Sequence, residues 1–404
     1  MASSSMSQKL ISRNPDLSKL QNDGYEVECR DGYLIVHSVP YVNSSGVIDR
    51  ADLVSALELR GEQTCSPVRD HQVWFTGSLP YTNQGQPVSG LGGQGEIRQT
   101  LTEGVEARYR FSNKPISGYQ DFFQKMSRYA LLLSRYAMAI DPGFTAKTFK
   151  PIPETEESSP FRYIDSASSR AGITAVSQKL AMDKVAIIGL GGTGSYILDL
   201  LAKTPVREIH LFDGDDFQQH NAFRAPGAAS IEELQSQPSK VSYFSDMYGH
   251  MRSGLVPHHQ FIDETTVTGL SEFNFVFTCV DKPSVRKVVV DFLVDKEIPY
   301  IDVGMEVTLV DESLTLVGTC RTTLGTASKS DHISKYASLA GTGADDLYRS
   351  NIQVADLNAL NATLAVIKWK KHCGFYQDCY REHQSCYSLN THQLTRDELF
   401  KEVS

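Results

Sequence analysis

Lys184–Gly194 reads KVAIIGLGGTG. Val185, Ala186, Ile187 and Ile188 form a short apolar run, too brief for a helix and rich in β-branched residues, which reads as a buried parallel strand. Gly189, Gly191, Gly192 and Gly194 follow at once. A chain that turns sharply and lets a phosphate approach its backbone needs glycine there, where the next helix offers unpaired N–H groups and the positive end of its dipole. Loops of this kind bind NAD, FAD or ATP, or serve only as tight turns, so the neighbouring residues must decide.

Downstream, strands alternate with helices: strand 208–212, helix around 240–251, strand 273–280, helix 285–294. That order implies a parallel sheet with helices on both faces. Val307–Val310 and Leu314–Thr319, split by Asp311-Glu312, read as an antiparallel pair continuing the sheet. A polar loop at 321–350 follows, long enough to be a lid, a partner-binding loop or a mobile segment. The last helix, 354–371, carries Val354, Leu357, Leu360, Leu364 and Ile367 on one face. Upstream the chain is β-rich. Tyr25–His37 reads as a hairpin turning at Asp31-Gly32, and 71–76, 97–101 and 107–111 are further short strands. An amphipathic helix at 119–139 closes this half, its aromatic stripe packing on the sheet. Four prolines and an acidic run mark 142–160 as a connector. The expected domains are therefore a β-rich α+β part at 1–141, a linker at 142–160 and an α/β part at 161–404.

With 404 residues, 41% hydrophobic and 22% charged, the composition is that of an ordinary globular chain. A net charge of -9 without a basic cluster argues against nucleic acid as a partner. The sequence has no run of 18 apolar residues and no signal-peptide core at its start, so the expectation is a cytoplasmic protein without a membrane partner. Seven cysteines, odd in number and sparse, suit a reducing compartment.

Asp213 ends the second strand, nineteen residues after Gly194, where a carboxylate can accept hydrogen bonds from ribose hydroxyls. A dehydrogenase would show the same acid. It would not explain the continuation DGDDFQQHNAFR, which supplies Asp215, Asn221 and Arg224, or Lys240 beyond it. Two cations and an amide near a phosphate loop suit a triphosphate. Read singly, Lys240 could be a surface lysine, Asp281 a helix cap and Asp215 a turn residue.

GLGGTG, Asp213-x-Asp215, Asn221-x-x-Arg224, Lys240, and TCVD ending in Asp281 with Arg286 five residues on together resemble the ubiquitin-activating and ThiF-type adenylyltransferase superfamily. The likeness runs from about residue 169 to 304 and leaves 1–150 uncovered. It implies a Rossmann-like, mostly parallel sheet that binds ATP and Mg²⁺ and adenylates the C-terminal glycine of a ubiquitin-like protein, for transfer to a conjugating enzyme. Under that resemblance Gly189, Gly191, Gly192 and Gly194 cradle phosphate, and Asp213 takes the ribose. Asp215 orients metal or phosphate, while Asn221, Arg224 and Lys240 hold the triphosphate. Asp281 holds the metal. Arg170, upstream of the first strand, would reach the nucleotide of a partner subunit, which implies a homodimer or a pseudo-dimer.

The pattern also departs from the family. No cysteine lies between Arg321 and His372, where thioester-forming members keep one. Cys320 is the nearest and reads as a packed strand residue. Ser328, Ser330, Ser334 and Ser338 offer hydroxyls without an evident base. The two CxxC zinc pairs of simpler members are missing, and Cys373, Cys379, His383 and Cys386 fit no strong zinc template, so zinc is disfavoured. Two alternatives remain open: a sulfur-carrier-type adenylyltransferase without a covalent enzyme intermediate, or a non-catalytic ATP-binding scaffold.

Overall fold

In the computed structural model, which describes residues 6–93, 95–152, 159–337 and 352–399, the chain divides into two units. The first comprises 1–158 with 163–177, the second 159–162 with 178–404.

In the first unit, helices α1 (Met6–Arg13) and α2 (Pro15–Asn22) precede β1 (Glu26–Arg30), β2 (Tyr33–Val42) and β3 (Ile48–Ala56). A two-residue pair, β4 (Leu59–Arg60) and β5 (Gln63–Thr64), leads to β6 (Gln72–Phe75), β7 (Glu96–Thr102) and β8 (Val105–Ser112). The antiparallel sheet runs β1-β2-β3-β6-β8-β7. Asp31 and Gly32 turn the first hairpin with φ of 50° and 78°, the left-handed pair that matches strand twist. Strand β2 alternates: Leu34 and Val36 join one core, Tyr33 and Ile35 another. Helix α3 (Phe122–Ile140), capped by Asp121, lays Phe122, Met126, Tyr129, Ala130 and Leu133 into the first of these cores. Its aromatic stripe is therefore interior packing.

The stretch after α3 does not yet behave as a connector. Ala146 is buried, Thr148 donates to Glu26 at 2.6 Å, and Phe149 N donates to Gly24 O at 2.9 Å. Proline-rich composition reads as solvated chain, but here Ala146 joins the core and polar contacts tie the stretch beside β1, while the Phe149 ring stays exposed. Helices α4 (Ser166–Ala171) and α5 (Thr174–Ser177) also belong to this unit, with Tyr33 OH donating to Ser169 O at 3.2 Å.

The second unit is built on eight strands: β9 (Lys184–Ile188), β10 (Glu208–Phe212), β11 (Leu255–His258), β12 (Phe275–Thr278), β13 (Tyr300–Val310), β14 (Thr315–Gly325), β15 (Glu382–Ser388) and β16 (Gln393–Leu399). Their order is β11-β10-β9-β12-β13-β14-β15-β16. The first five are parallel and the last three pair antiparallel. Helices α6 (Gly192–Leu201), α7 (Gln219–Ala222), α8 (Ile231–Ser236), α9 (Lys240–Gly249), α10 (Pro283–Asp295), α11 (Ile333–Tyr336) and α12 (Ala355–His372) connect or flank them. Val185 and Ile187 point into one layer with residues of α6, α9 and α12, while Ala186 and Ile188 point into the other with Val289 and Val290 of α10. Strands buried on both faces account for the continuous apolar runs. Among the described residues no helix is long and apolar enough to cross a membrane.

Three expectations change. Arg321–Gly325 are not loop: β14 continues to Gly325, held between β13 and β15. Of the remaining loop, Thr326–Lys329 form a tight turn and α11 follows, whereas 338–350, including Ser338, lie outside the described residues. Helix α12 buries Leu357, Asn358, Asn361, Ala362, Ala365, Val366, Lys368 and Trp369, while Ile367 is exposed. The helix packs on two sides: Val354, Leu357, Leu360 and Leu364 of the expected stripe pack with Val307 of β13 and Cys320 of β14, while Ala362, Ala365, Val366 and Trp369 join the core around β9 and α6.

Candidate nucleotide site

Strand order places the site. From β9 the chain steps outward to β10 and β11, then returns to β12 on the other side of β9. The crevice at the carboxyl ends of β9 and β12 is a topological switch point, where open α/β sheets bind ligands. The glycine loop leaves β9 there and Asp281 follows β12.

The four glycines of the loop do different work. Gly189 has φ of 90°, and a Cβ on it would stand 2.8 Å from Cys279 O. On Gly194 a Cβ would stand 1.9 Å from Gly189 O, and on Gly192 one would strike the Asn358 amide at 2.1 Å. These three are required by the chain itself. Gly191 is not: its φ is −69° and a Cβ would meet nothing within 4 Å. Open space beside the cap of α6 is the cradle that a phosphate would fill.

Asp213, buried at 7% exposure, organises the loop. Its Oδ2 accepts from Leu190 N at 2.7 Å, and its Oδ1 accepts from Asp215 N at 2.9 Å. Lys240 Nζ stands 3.3 Å from Asp213 Oδ1 and 2.6 Å from Asp215 Oδ2. The long sequence gap to Lys240 closes because Lys240 N donates to Asp215 O at 3.0 Å and Phe217 N to Pro238 O at 2.8 Å. Ser239 caps α9, so Lys240 is its first residue. Asn221 is buried, its Oδ1 accepting from Gln218 N at 2.9 Å to close α7. Arg224 N donates to Asn221 O at 3.0 Å.

His220 and Phe261 escaped the sequence reading. Partial burial, then the charges of Arg224 and Lys240, hold the His220 imidazole below its ordinary value, while Asp215 opposes the shift. Those groups therefore share one neighbourhood. The Phe261 ring covers Gly214, where a Cβ would meet it at 2.6 Å, and Lys282 Nζ lies 5.6 Å from the ring centroid. Phe261 thus ties the Asp213 turn to the loop bearing Asp281. Asp281 is exposed and has no partner among the described residues. Behind it, Arg286 donates to Val280 O at 2.6 Å and to Asp302 at 3.1 Å.

Asp213, Asp215, Asn221, Arg224, Lys240 and the glycines come together in this way, with Asp281 on the flanking loop. Arg170 does not join them within the second unit: it sits on α4 of the first, 3.3 Å from Glu58. Cys320 is fully buried, its Sγ 3.6 Å from Leu357 O, and burial pushes its thiol up to about 12. Ser328 is exposed in the tight turn with Thr326, and Ser334 is exposed on α11. In the tail, Cys373 follows α12, and His383 and Cys386 lie on β15.

Residues 167–328 match the ThiF family. Residues 15–166 match a domain of unknown function, DUF6791. The ThiF region contains every residue of the glycine loop and the acid and base pattern downstream. Curated relatives include ubiquitin-like modifier-activating enzyme 5 of Xenopus laevis, 26% identical over 157 residues, and that of Culex quinquefasciatus, 28% identical over 102. The matches cover 36% and 24% of this chain, and they span 39% and 25% of those relatives. Among solved structures, Escherichia coli MccB is 18% identical with a TM-score of 0.46, over 58% of this chain and 73% of that one. PaaA is 17% identical with a TM-score of 0.43, over 56% and 75%. The architecture stands on the strand order itself rather than on these likenesses.

Proposed function

We propose that the ThiF unit binds ATP and transfers its adenylyl group to the C-terminal glycine carboxylate of a ubiquitin-like protein, which a conjugating enzyme then receives. The observation that carries this reading is Lys240, buried at the mouth of the glycine loop and shared between Asp213 and Asp215. A lysine so placed can exchange a carboxylate for a phosphate oxygen. The reaction has to bring two anions together, so neutralisation comes first. A partner carboxylate oxygen attacks the α-phosphorus, the bond to the β-phosphate breaks, and pyrophosphate leaves with the electron pair.

Asp213 retains lone pairs for ribose hydroxyls, Asn221 and Arg224 orient the outer phosphates, and the N–H groups at the start of α6 face the space beside Gly191. Mg²⁺ would be held by Asp281, with phosphate oxygens completing its shell, and would offset phosphate charge.

A narrower form of the reading, adenylation without a covalent enzyme intermediate, is favoured by Cys320. A thiol this buried is not a nucleophile. Exchange of labelled pyrophosphate into ATP by the full chain tests the proposal, with and without a ubiquitin-like protein ending in glycine. Exchange should require that partner and vanish in Arg224→Ala and Asp281→Ala. A chain that binds ATP yet exchanges with no such partner would be a scaffold.

A further inference from the structure

Helix α12 presents asparagine where a core helix ordinarily presents an aliphatic side chain. Asn358 is 1% exposed. Its Oδ1 accepts from the Thr193 hydroxyl at 2.9 Å, and its Nδ2 has no partner among the described residues. The amide lies flat against the glycine loop: a Cβ on Gly192 would stand 2.1 Å from Nδ2 and 2.3 Å from Cγ. Turning the amide over does not help, since the hydroxyl can donate or accept and one amide atom stays unpaired either way. A leucine of similar size would fill this site without burying an unmet polar group.

We propose that Asn358 is a positioning residue for the phosphate cradle, acting through Thr193. This rests on the nucleotide reading above. Thr193 is the second residue of α6, in the turn whose backbone N–H groups have no helical acceptor. Its hydroxyl anchors that turn to α12, which is itself fixed against β13 by Asn361 Nδ2 donating to Gly304 O at 3.1 Å. Gly192 is glycine because the amide occupies the place of its Cβ, so residues 192, 193 and 358 form one unit. The direction of the first N–H groups of α6 is set from behind by a side chain that never touches the ligand.

The test separates stability from binding. In the full chain, Asn358→Leu removes the unpaired amide, so its melting temperature should equal or exceed that of the wild type. Its affinity for ATP, titrated calorimetrically without any protein partner, should fall roughly three- to tenfold. Thr193→Val should lose the same factor, and the double variant no more than either, because both cut one connection. If Asn358→Leu does not fold, Thr193→Val carries the test alone. Folded variants that bind ATP as tightly as the wild type overturn the role of Asn358 and leave the nucleotide reading standing. A wild-type chain that binds no ATP overturns both.

Discussion

Asp302→Ala removes a fully buried carboxylate from between two arginines. On β13, Asp302 Oδ1 accepts from Arg286 Nε at 3.1 Å and Oδ2 from Arg321 at 2.6 Å. Arg286 also donates to Val280 O and Arg321 to Thr323 Oγ1, both at 2.6 Å. Without the carboxylate, two guanidinium groups of low exposure, 9% and 16%, lose the counter-charge they share. Breaking such a buried pair from one side costs about 3–5 kcal/mol. In a unit of this size each kcal/mol lowers the melting temperature by roughly 2–4 °C, so the second unit should melt roughly 6–20 °C lower. Thermal unfolding by near-ultraviolet circular dichroism, with the loss assigned to the second unit by limited proteolysis, reads this out. Asp302→Asn, which keeps an acceptor but no charge, should fall between. Replacing all three residues together by Leu, Met and Met should recover much of the loss. A single Asp302→Ala variant melting within about 2 °C of the wild type would refute the reasoning, since the arginines would then be satisfied without the carboxylate.

Two glycines of the loop should respond oppositely. Gly194→Ala drives a Cβ into backbone and should destabilise by about 1–3 kcal/mol or more in chemical denaturation, whereas Gly191→Ala, with open space around it, should keep its stability and lose ATP affinity at least about tenfold by calorimetry. In the first unit, burial alone would lower the His37 imidazole, but hydrogen bonds and charge from Asp52 and Glu28 outweigh it and raise it to about 9. A raised folded value stabilises fully below the unfolded value of about 6.5 and fades as pH rises through about 9, so that unit should lose about 1–2 kcal/mol between pH 6 and 10, after allowance for solvent screening, and His37→Gln should flatten the profile. Cys320→Ser should exchange pyrophosphate like the wild type, with no hydroxylamine-labile adduct at residue 320 by intact mass spectrometry; an adduct there would reverse the reading of that thiol.

The parallel core was legible because strands buried on both faces write themselves as unbroken apolar runs, and the sequence around Asp213 drew notice because two acids, an amide and two cations follow the glycine loop in order. β15 and β16 were not: EHQSCYS lies inside the sheet between β14 and β16 and QLTRDEL at its edge, and their polar side chains carry little apolar–polar alternation. Asn358 was invisible for a different reason. An asparagine among leucines at helical spacing reads as part of the solvated face, and only the packing of α12 on α6 turns that face inward. His220 and Phe261 gave no signal, since each acquires meaning from residues brought near by turns rather than by spacing.

The hydrogen bond from Leu190 N to Asp213 has a thermodynamic consequence. Protein groups alone hold the turn at Leu190 and Asp213 in place, so under the proposed function ATP would exchange the partners of Lys240 without reshaping that turn. The entropy of shaping the site belongs to folding. Binding of ATP should therefore carry a small heat-capacity change, set by the apolar surface covered by the base alone.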